Sequence, residues 1–309
     1  MSLRIVFLGT PEFATTSLQA ILSSKHEIVG VVTAPDKPAG RGQQLNESDV
    51  KKFAVQHELK LFQPEKLRDE QFIQELKSLN ADLFVVVAFR MLPEVVWNMP
   101  RLGTLNLHGS LLPQYRGAAP IQWAVINGET ETGCTTFRLK HEIDTGEVLG
   151  QHKMNIGANE TAGELYERMM HKGAALLVQT LDNLEEGKVQ PIAQEELITS
   201  ELKHAPKLLK EDGKVRLTDT PAVVHNRVRG VTPFPGAFTT FQGKILKIHK
   251  GLPEETEHSF ELGTFHSDHK TYLKLAVNGG YYNLLEVQLE GKKRLGVDEF
   301  LRGNSLREE

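Results

Sequence analysis

The sequence predicts an α/β protein, a mostly parallel sheet flanked by helices and followed by a small β domain. Three observations carry that expectation. Strand-like apolar runs alternate with helical patterns through the first part of the chain. One run, Leu83-Phe84-Val85-Val86-Val87-Ala88, is continuously apolar, as a strand covered on both faces of a parallel sheet must be. Beyond residue 205 the helical periodicity gives way to short strand patterns separated by Gly and Asn turns.

The elements follow in order. Strands are expected at residues 4–8, 27–33, 83–88 and 104–108. Thr10-Pro11 reads as the cap and first position of a helix carrying Phe13, Leu18, Ile21 and Leu22. After the second strand, residues 34–48 read as a loop. A helix over 71–79 buries Phe72, Ile73 and Leu76, another spans 118–126, and Cys134-Thr135-Thr136-Phe137-Arg138-Leu139 alternates as a strand. Thr161-Ala162-Gly163-Glu164 is a capping box opening a long helix to about residue 186, with Gly187 as its stop. Residues 189–205 turn polar and acidic, with Pro191 and Gln194-Glu195-Glu196, and read as a linker. A short helix at 221–229 precedes strands at 237–241, 244–249, 263–266, 272–277 and 281–289, turned by Gln242-Gly243 and Asn278-Gly279-Gly280. Such a set suggests a small barrel, for which the oligonucleotide-binding type is one candidate. The expected boundaries are 1–189 for the first domain, 190–205 for the linker and 206–309 for the second domain.

Bulk properties narrow the function. A chain of 309 residues with 36 basic and 40 acidic side chains, net -4, is not built to be coated with nucleic acid. The charge is uneven, net -6 before residue 206 and net +2 from there on, which mildly favours the second part as the anion-facing one. No apolar stretch reaches the length of a signal peptide or a membrane span, so the expectation is a cytoplasmic protein without a membrane partner. A monomer is expected as well. The single cysteine, Cys134, lies in an alternating strand and reads as a buried structural thiol. After the first strand comes Gly9-Thr10-Pro11-Glu12-Phe13, with one glycine where a dinucleotide fingerprint needs three, so NAD or FAD binding is not expected. Nor is there a phosphate-cradling loop ending in Gly-Lys-Ser/Thr.

The richest stretch is Asn106-Leu107-His108-Gly109-Ser110-Leu111-Leu112-Pro113, continued by Arg116-Gly117-Ala118-Ala119-Pro120 and later by Asp144-Thr145-Gly146. Alternation puts Asn106 and His108 on one face of a strand, at its carboxyl end, where ligands of open α/β sheets bind. Asn106 can donate to a developing oxyanion, and His108 can donate a second hydrogen bond or carry a proton. Asp144 can hold the imidazole in one tautomer and favour its charged form. Each also has an ordinary structural reading: a turn-forming Asn, a satisfied core His, an Asx turn. A metal site on His108, His141 and Asp144 finds no helical ligand pair to support it, so no metal is expected.

These strings closely resemble the folate-dependent formyltransferases. The resemblance extends to Ile5-Val6-Phe7-Leu8-Gly9-Thr10-Pro11-Glu12-Phe13-Ala14, to Pro35-Asp36-Lys37-Pro38-Ala39-Gly40-Arg41-Gly42, to Asn226-Arg227-Val228-Arg229-Gly230 and to Pro233-Phe234-Pro235-Gly236-Ala237, and so to nearly the whole chain. It implies a Rossmann-like catalytic domain followed by an OB-like barrel that binds tRNA. It also implies transfer of a formyl group from 10-formyltetrahydrofolate, as co-substrate, to the α-amine of methionine on initiator methionyl-tRNA. On that reading Asn106 and His108 hold the oxyanion, His108 protonates the leaving folate nitrogen, and Asp144 pairs with His108 and relays the amine's proton through water. Ser110, Leu111, Leu112 and Pro113 contact the folate, and Phe89, Arg90, Met91 and Leu92 form the other wall. Lys37 and Arg41 enter the tRNA acceptor end, and basic and aromatic residues of the barrel such as Lys244, Lys247, Lys250, Tyr281 and Tyr282 are candidates for RNA contact, although strand-face and core positions explain them as well. Two departures stand out: Arg90 where the family pattern has glycine, and Val215-Arg216-Leu217 where it often has tryptophan. The competing readings are a 10-formyltetrahydrofolate hydrolase, a sugar-nucleotide amine formyltransferase and a catalytically silent RNA-binding module.

Overall fold

The continuous apolar run at 83–87 becomes an interior strand of a seven-stranded sheet, all five residues buried. In the computed structural model, which describes residues 2–39 and 44–304, the chain opens with β1 (Arg4–Gly9), α1 (Glu12–Leu22), β2 (Glu27–Val32) and a short hairpin, β3 (Lys37–Ala39) and β4 (Gln44–Asn46). Then come α2 (Asp49–Gln56), β5 (Leu61–Phe62), α3 (Glu70–Ser78), β6 (Leu83–Val87), α4 (Glu94–Trp97) and β7 (Thr104–His108). β8 (Arg116–Gly117), α5 (Pro120–Ile126), β9 (Glu131–Arg138), β10 (Val148–Asn155) and α6 (Ala162–Glu185) follow, and β11 (His204–Ala205) ends this stretch. The sheet runs β10-β9-β7-β6-β1-β2-β5. Pairing is parallel from β7 through β6 and β1 to β2 and β5, and antiparallel between β7 and β9. One face of it packs Val6, Leu8, Phe84 and Val86 against Phe72 and Leu76 of α3.

Local chemistry sets the helix ends, with some departures from expectation. Pro11 is the extended residue before α1 rather than its first residue, and no side chain of its own sequence neighbourhood caps the helix. Tyr166 does so instead, its hydroxyl accepting from the Phe13 N–H at 3.1 Å. α3 starts one residue early because Asp69 accepts from Phe72 N at 3.0 Å, a cap that contributes about 1 kcal/mol. α5 starts late, since Pro120 at its first turn forces the residue before it out of helical backbone. The capping box forms as read: Glu164 N donates to Thr161 Oγ1 at 3.2 Å, and Thr161 N to Glu164 Oε2 at 2.8 Å. Within residues 34–48 the structure adds the β3–β4 hairpin to what reads as loop, Lys37 lying opposite Asn46.

The chain forms two compact units that interleave along the sequence: Met1–Gly117, Thr132–Met154 and Tyr166–His204 make one, and Ala118–Glu131, Asn155–Leu165 and Ala205–Glu309 the other. The second unit holds α7 (Pro221–Gly230), β12 (Ala237–Phe241), β13 (Lys244–Glu254), β14 (Phe265–Ser267), β15 (Leu273–Val277), β16 (Gly280–Leu289), β17 (Leu295–Gly296) and α8 (Val297–Gly303). Its antiparallel sheet runs β12-β13-β16-β15-β14, with β17 on β16, and curls as a half-barrel around Phe241, Leu246, Tyr282 and Phe300. Tyr282 is therefore a core residue, 0% exposed, and not an RNA contact; its hydroxyl meets His225 Nδ1 at 3.2 Å. Cys134, also fully buried, has its thiol pushed up to about 12 by burial, which leaves it unreactive. Among the described residues no helix is long and apolar enough to cross a membrane.

Candidate active site

β7 presents Asn106 opposite Phe137 and His108 opposite Thr135 on the antiparallel partner β9. Both side chains leave the same side of the strand, as alternation requires. Asn106 is half-buried and, among the described residues, its amide has no hydrogen-bond partner. His108 is buried, its ring edge-on to Phe137 at 6.4 Å, and its Nε2 lies 2.9 Å from the carbonyl of Tyr115. A carbonyl only accepts, so Nε2 carries the hydrogen and Nδ1 of the neutral ring is a bare acceptor.

Asp144 sits in the connection between β9 and β10 with a left-handed backbone, φ 55°. Its Oδ2 accepts the N–H of Gly117 at 3.0 Å. The expected direct pairing with His108 is absent: no hydrogen bond or ion pair joins the two side chains. They are organised in common by residues 115–117, whose Tyr115 carbonyl takes His108 and whose Gly117 amide takes Asp144. That segment is strapped in turn by Tyr115 N donating to Lys203 O at 2.7 Å, and by Gln114 Nε2 donating to Ser200 Oγ at 3.0 Å.

A residue that sequence reasoning passed over completes this framework. Gln194, read as part of a polar linker, is 0% exposed. Its Nε2 donates to the carbonyls of Asp144 and Gly146 at 2.9 and 2.8 Å, and its Oε1 accepts from Arg116 Nε and Nη2 at 3.0 and 2.7 Å. An antiparallel bridge between Val148 and Ile192 delivers it there. No local pattern marks such a residue, because all its partners lie 48 to 78 positions away.

Ser110, Leu112 and Pro113 are buried, and only Leu111 of the four stays partly open. Thr135 organises their backbone, donating to Ser110 O at 2.7 Å and accepting from Leu112 N at 3.1 Å, while Gln151 Nε2 donates to Leu112 O at 2.8 Å. Leu112 itself packs with Phe137 and Val148. On the other side of β7, in the loop after β6, Phe89 is half-buried, Leu92 buried, Arg90 exposed and Met91 74% exposed. Arg90 donates Nη1 to Glu65 O at 2.9 Å and Nη2 to Pro64 O, tying this loop to the one after β5. It is not among the residues with positive φ, so replacing glycine there demands no left-handed backbone. Lys37 is exposed on β3, and the roots of its hairpin are pinned by Lys51 on Asp36 and by Gln63 Nε2 on Asp36 Oδ1 at 2.9 Å. Arg41 lies outside the described residues. His141 is exposed, and no group of three or more His, Cys, Asp or Glu among the described residues could hold a metal ion.

Residues 3–181 match the family model described as formyl transferase, and residues 207–305 match formyl transferase, C-terminal domain. The chain belongs to the formyl transferase family. It is 50% identical over 312 aligned positions to a methionyl-tRNA formyltransferase of Bacteroides fragilis, covering 99% of this chain and 96% of that protein. It is 47% identical to the enzyme of the same name from Flavobacterium johnsoniae, covering 99% and 98%. Among solved structures, the sugar 3N-formyl transferase WlaRD shares the fold at a TM-score of 0.67 and 19% identity, over 95% of this chain and 100% of that one. HypX from Aquifex aeolicus, in complex with tetrahydrofolic acid, does so at 0.65 and 20%, over 98% of this chain and 48% of that one. A formyl transferase must stabilise an anionic tetrahedral oxygen, remove a proton from the acceptor and return one to the donor. Asn106, His108 and Asp144 are groups of the kinds that those tasks need.

Proposed function

We propose that this chain transfers the formyl group of 10-formyltetrahydrofolate to the α-amine of methionine on initiator methionyl-tRNA, in the cytoplasm, ahead of translation initiation. The observation that carries this reading is identity of 47 to 50% to methionyl-tRNA formyltransferases along essentially the whole chain, second unit included. The hydrolase and sugar-nucleotide readings find no such support; the sugar enzyme shares the fold at 19% identity.

The residues support a definite course. The amine nitrogen attacks the formyl carbon, and the carbonyl electron pair moves to oxygen, where the unengaged Asn106 amide donates to it. His108, held through Nε2 on Tyr115, offers only Nδ1. As the imidazolium, Nδ1–H steadies the oxyanion and then gives its proton to N10 of the folate as the C–N10 bond breaks. The amine's proton leaves through water to the Asp144 carboxylate, and passes on to restore His108. One proton thus moves from amine to N10, and the products are the formylated amine and tetrahydrofolate. Leu111 and the loop carrying Phe89 to Leu92 line the folate, and Lys37 and Arg41 meet the tRNA acceptor end.

The test is transfer from labelled 10-formyltetrahydrofolate to methionylated initiator tRNA, beside elongator tRNA and a control without RNA. Label on initiator tRNA alone is expected. Formate released without RNA would instead mark a hydrolase.

A further inference from the structure

Gln194 has more engagement than a packing residue needs. It is fully buried, and both N–H groups and its carbonyl oxygen are occupied by groups on two different segments. One segment, 115–117, carries the carbonyl that orients His108 and the amide that receives Asp144. The other, 142–146, carries Asp144 itself. The loop has few ways to rearrange. Asp144 stands in left-handed backbone, and a Cβ at Gly146 would fall 1.6 Å from the Arg138 carbonyl oxygen. Thr145 Oγ1 donates back to Glu142 O at 3.1 Å, a bond internal to the loop, while two side-chain links reach the 115–117 segment: Asp144 Oδ2 on the Gly117 N–H, and Gln194, which ties the loop's backbone carbonyls to Arg116.

We propose that Gln194 is a positioning residue for formyl transfer: by clamping the Asp144 and Gly146 carbonyls to Arg116 it fixes the Asp144 carboxylate relative to the His108 imidazole. This rests on the reading of Asp144 as the carboxylate that takes the amine's proton. Because His108 and Asp144 are not bonded to each other, their spacing depends on the two segments being locked together; the Asp144–Gly117 bond joins them at the carboxylate, and Gln194 holds the backbone that carries it. A carboxylate displaced by about 1 Å loses on the order of a hundredfold in rate, whereas substrate binding elsewhere is untouched.

The full-length protein is compared with Gln194→Met, Gln194→Glu, Asp144→Asn and, as a control for a lost buried hydrogen bond in the same unit, Thr180→Val, which removes the 2.8 Å contact to Thr136. Single-turnover formyl transfer, KM for folate and for tRNA, the pH profile of kcat, and Tm are read for each. Gln194→Met is expected to lower kcat roughly 30- to 100-fold with both KM values within about twofold, and to shift the pH profile. Gln194→Glu keeps the acceptor for Arg116 and loses both donors, so it should fail similarly; it also carries the test if the Met variant melts below assay temperature. Thr180→Val should lower Tm and leave kcat intact. A Gln194→Met enzyme within twofold of the parent, an equal kcat loss in Thr180→Val, or full activity in Gln194→Glu each overturns the proposal. If Asp144→Asn keeps its kcat, the reading of Asp144 falls and the proposal with it. An inactive Asp144→Asn beside an active Gln194→Met overturns the proposal alone.

Discussion

His108 faces the carbonyl of Tyr115 at 2.9 Å and leaves Asp144 to the amide of Gly117. The expectation of a direct His–Asp pair gives way to an indirect arrangement in which a three-residue segment holds both. The consequence is chemical. A neutral His108 has no hydrogen to offer an oxyanion, because its one N–H is committed to Tyr115; donation from Nδ1 requires the ring to be charged.

That tautomer is directly observable. In ¹⁵N-labelled protein with His108 neutral, its two ring nitrogens should resolve as a protonated Nε2 and a bare Nδ1. A neutral ring with its hydrogen on Nδ1 would sink the assignment, and with it the requirement for an imidazolium.

Asn106→Ala removes an amide that the fold leaves unengaged, so the folded state loses little and the transition state loses a donor. Turnover should fall about a hundredfold to a thousandfold, as for other oxyanion donors, with Tm within a few degrees of the parent. Near-normal single-turnover rates would take Asn106 out of the mechanism.

What the sequence made legible depended on whether a feature is local. The apolar run of β6, the alternation of β7 and the Thr161–Glu164 capping box are readable because each is written within a few residues. β10 was missed because it is largely exposed and carries polar residues at Gln151, His152 and Lys153. The place of Pro11 is not legible locally because the group that caps its helix, the Tyr166 hydroxyl, is 153 residues from Phe13, whose N–H it accepts. The site divides in the same way: Asn106, His108 and Asp144 show as motif, while Gln194 and the Tyr115 carbonyl act through contacts that only the folded chain defines.

Acid should destabilise the protein partly through His225. Burial first, and the charge of Arg229 second, hold its pKa below the ordinary 6.5. Its Nε2 faces Asn159 Oδ1 at 3.0 Å and its Nδ1 the Tyr282 hydroxyl at 3.2 Å, an arrangement the neutral ring satisfies. Above the unfolded value of about 6.5 neither state binds the proton and His225 has no effect. As pH falls through 6.5 the unfolded chain protonates first, so stability declines until the folded ring titrates at its lower value. His26 and His249, also lowered by burial, act in the same direction. Thermal melts of His225→Gln between pH 7.5 and 5 should show a smaller loss of Tm than the parent; parallel curves would contradict this origin.

Arg90 is the family departure whose consequence the structure makes specific. Its guanidinium bridges the loop after β6 to the carbonyls of Pro64 and Glu65, with Nη1 at 2.9 Å from the latter. Both bonds are exposed, so their net worth is small, about 1 kcal/mol of loop ordering. Arg90 bonds to the carbonyls of Pro64 and Glu65 and not to Asn106, His108 or Asp144, so its effect is expected on binding of the co-substrate. Arg90→Gly frees the loop, and the ordering then falls on folate binding. KM for 10-formyltetrahydrofolate should rise about fivefold, the equivalent of that energy, with kcat and the KM for tRNA unchanged. Equal folate KM values in variant and parent would show that the tether does not shape this wall, and a fall in kcat alone would place Arg90 in the chemistry instead.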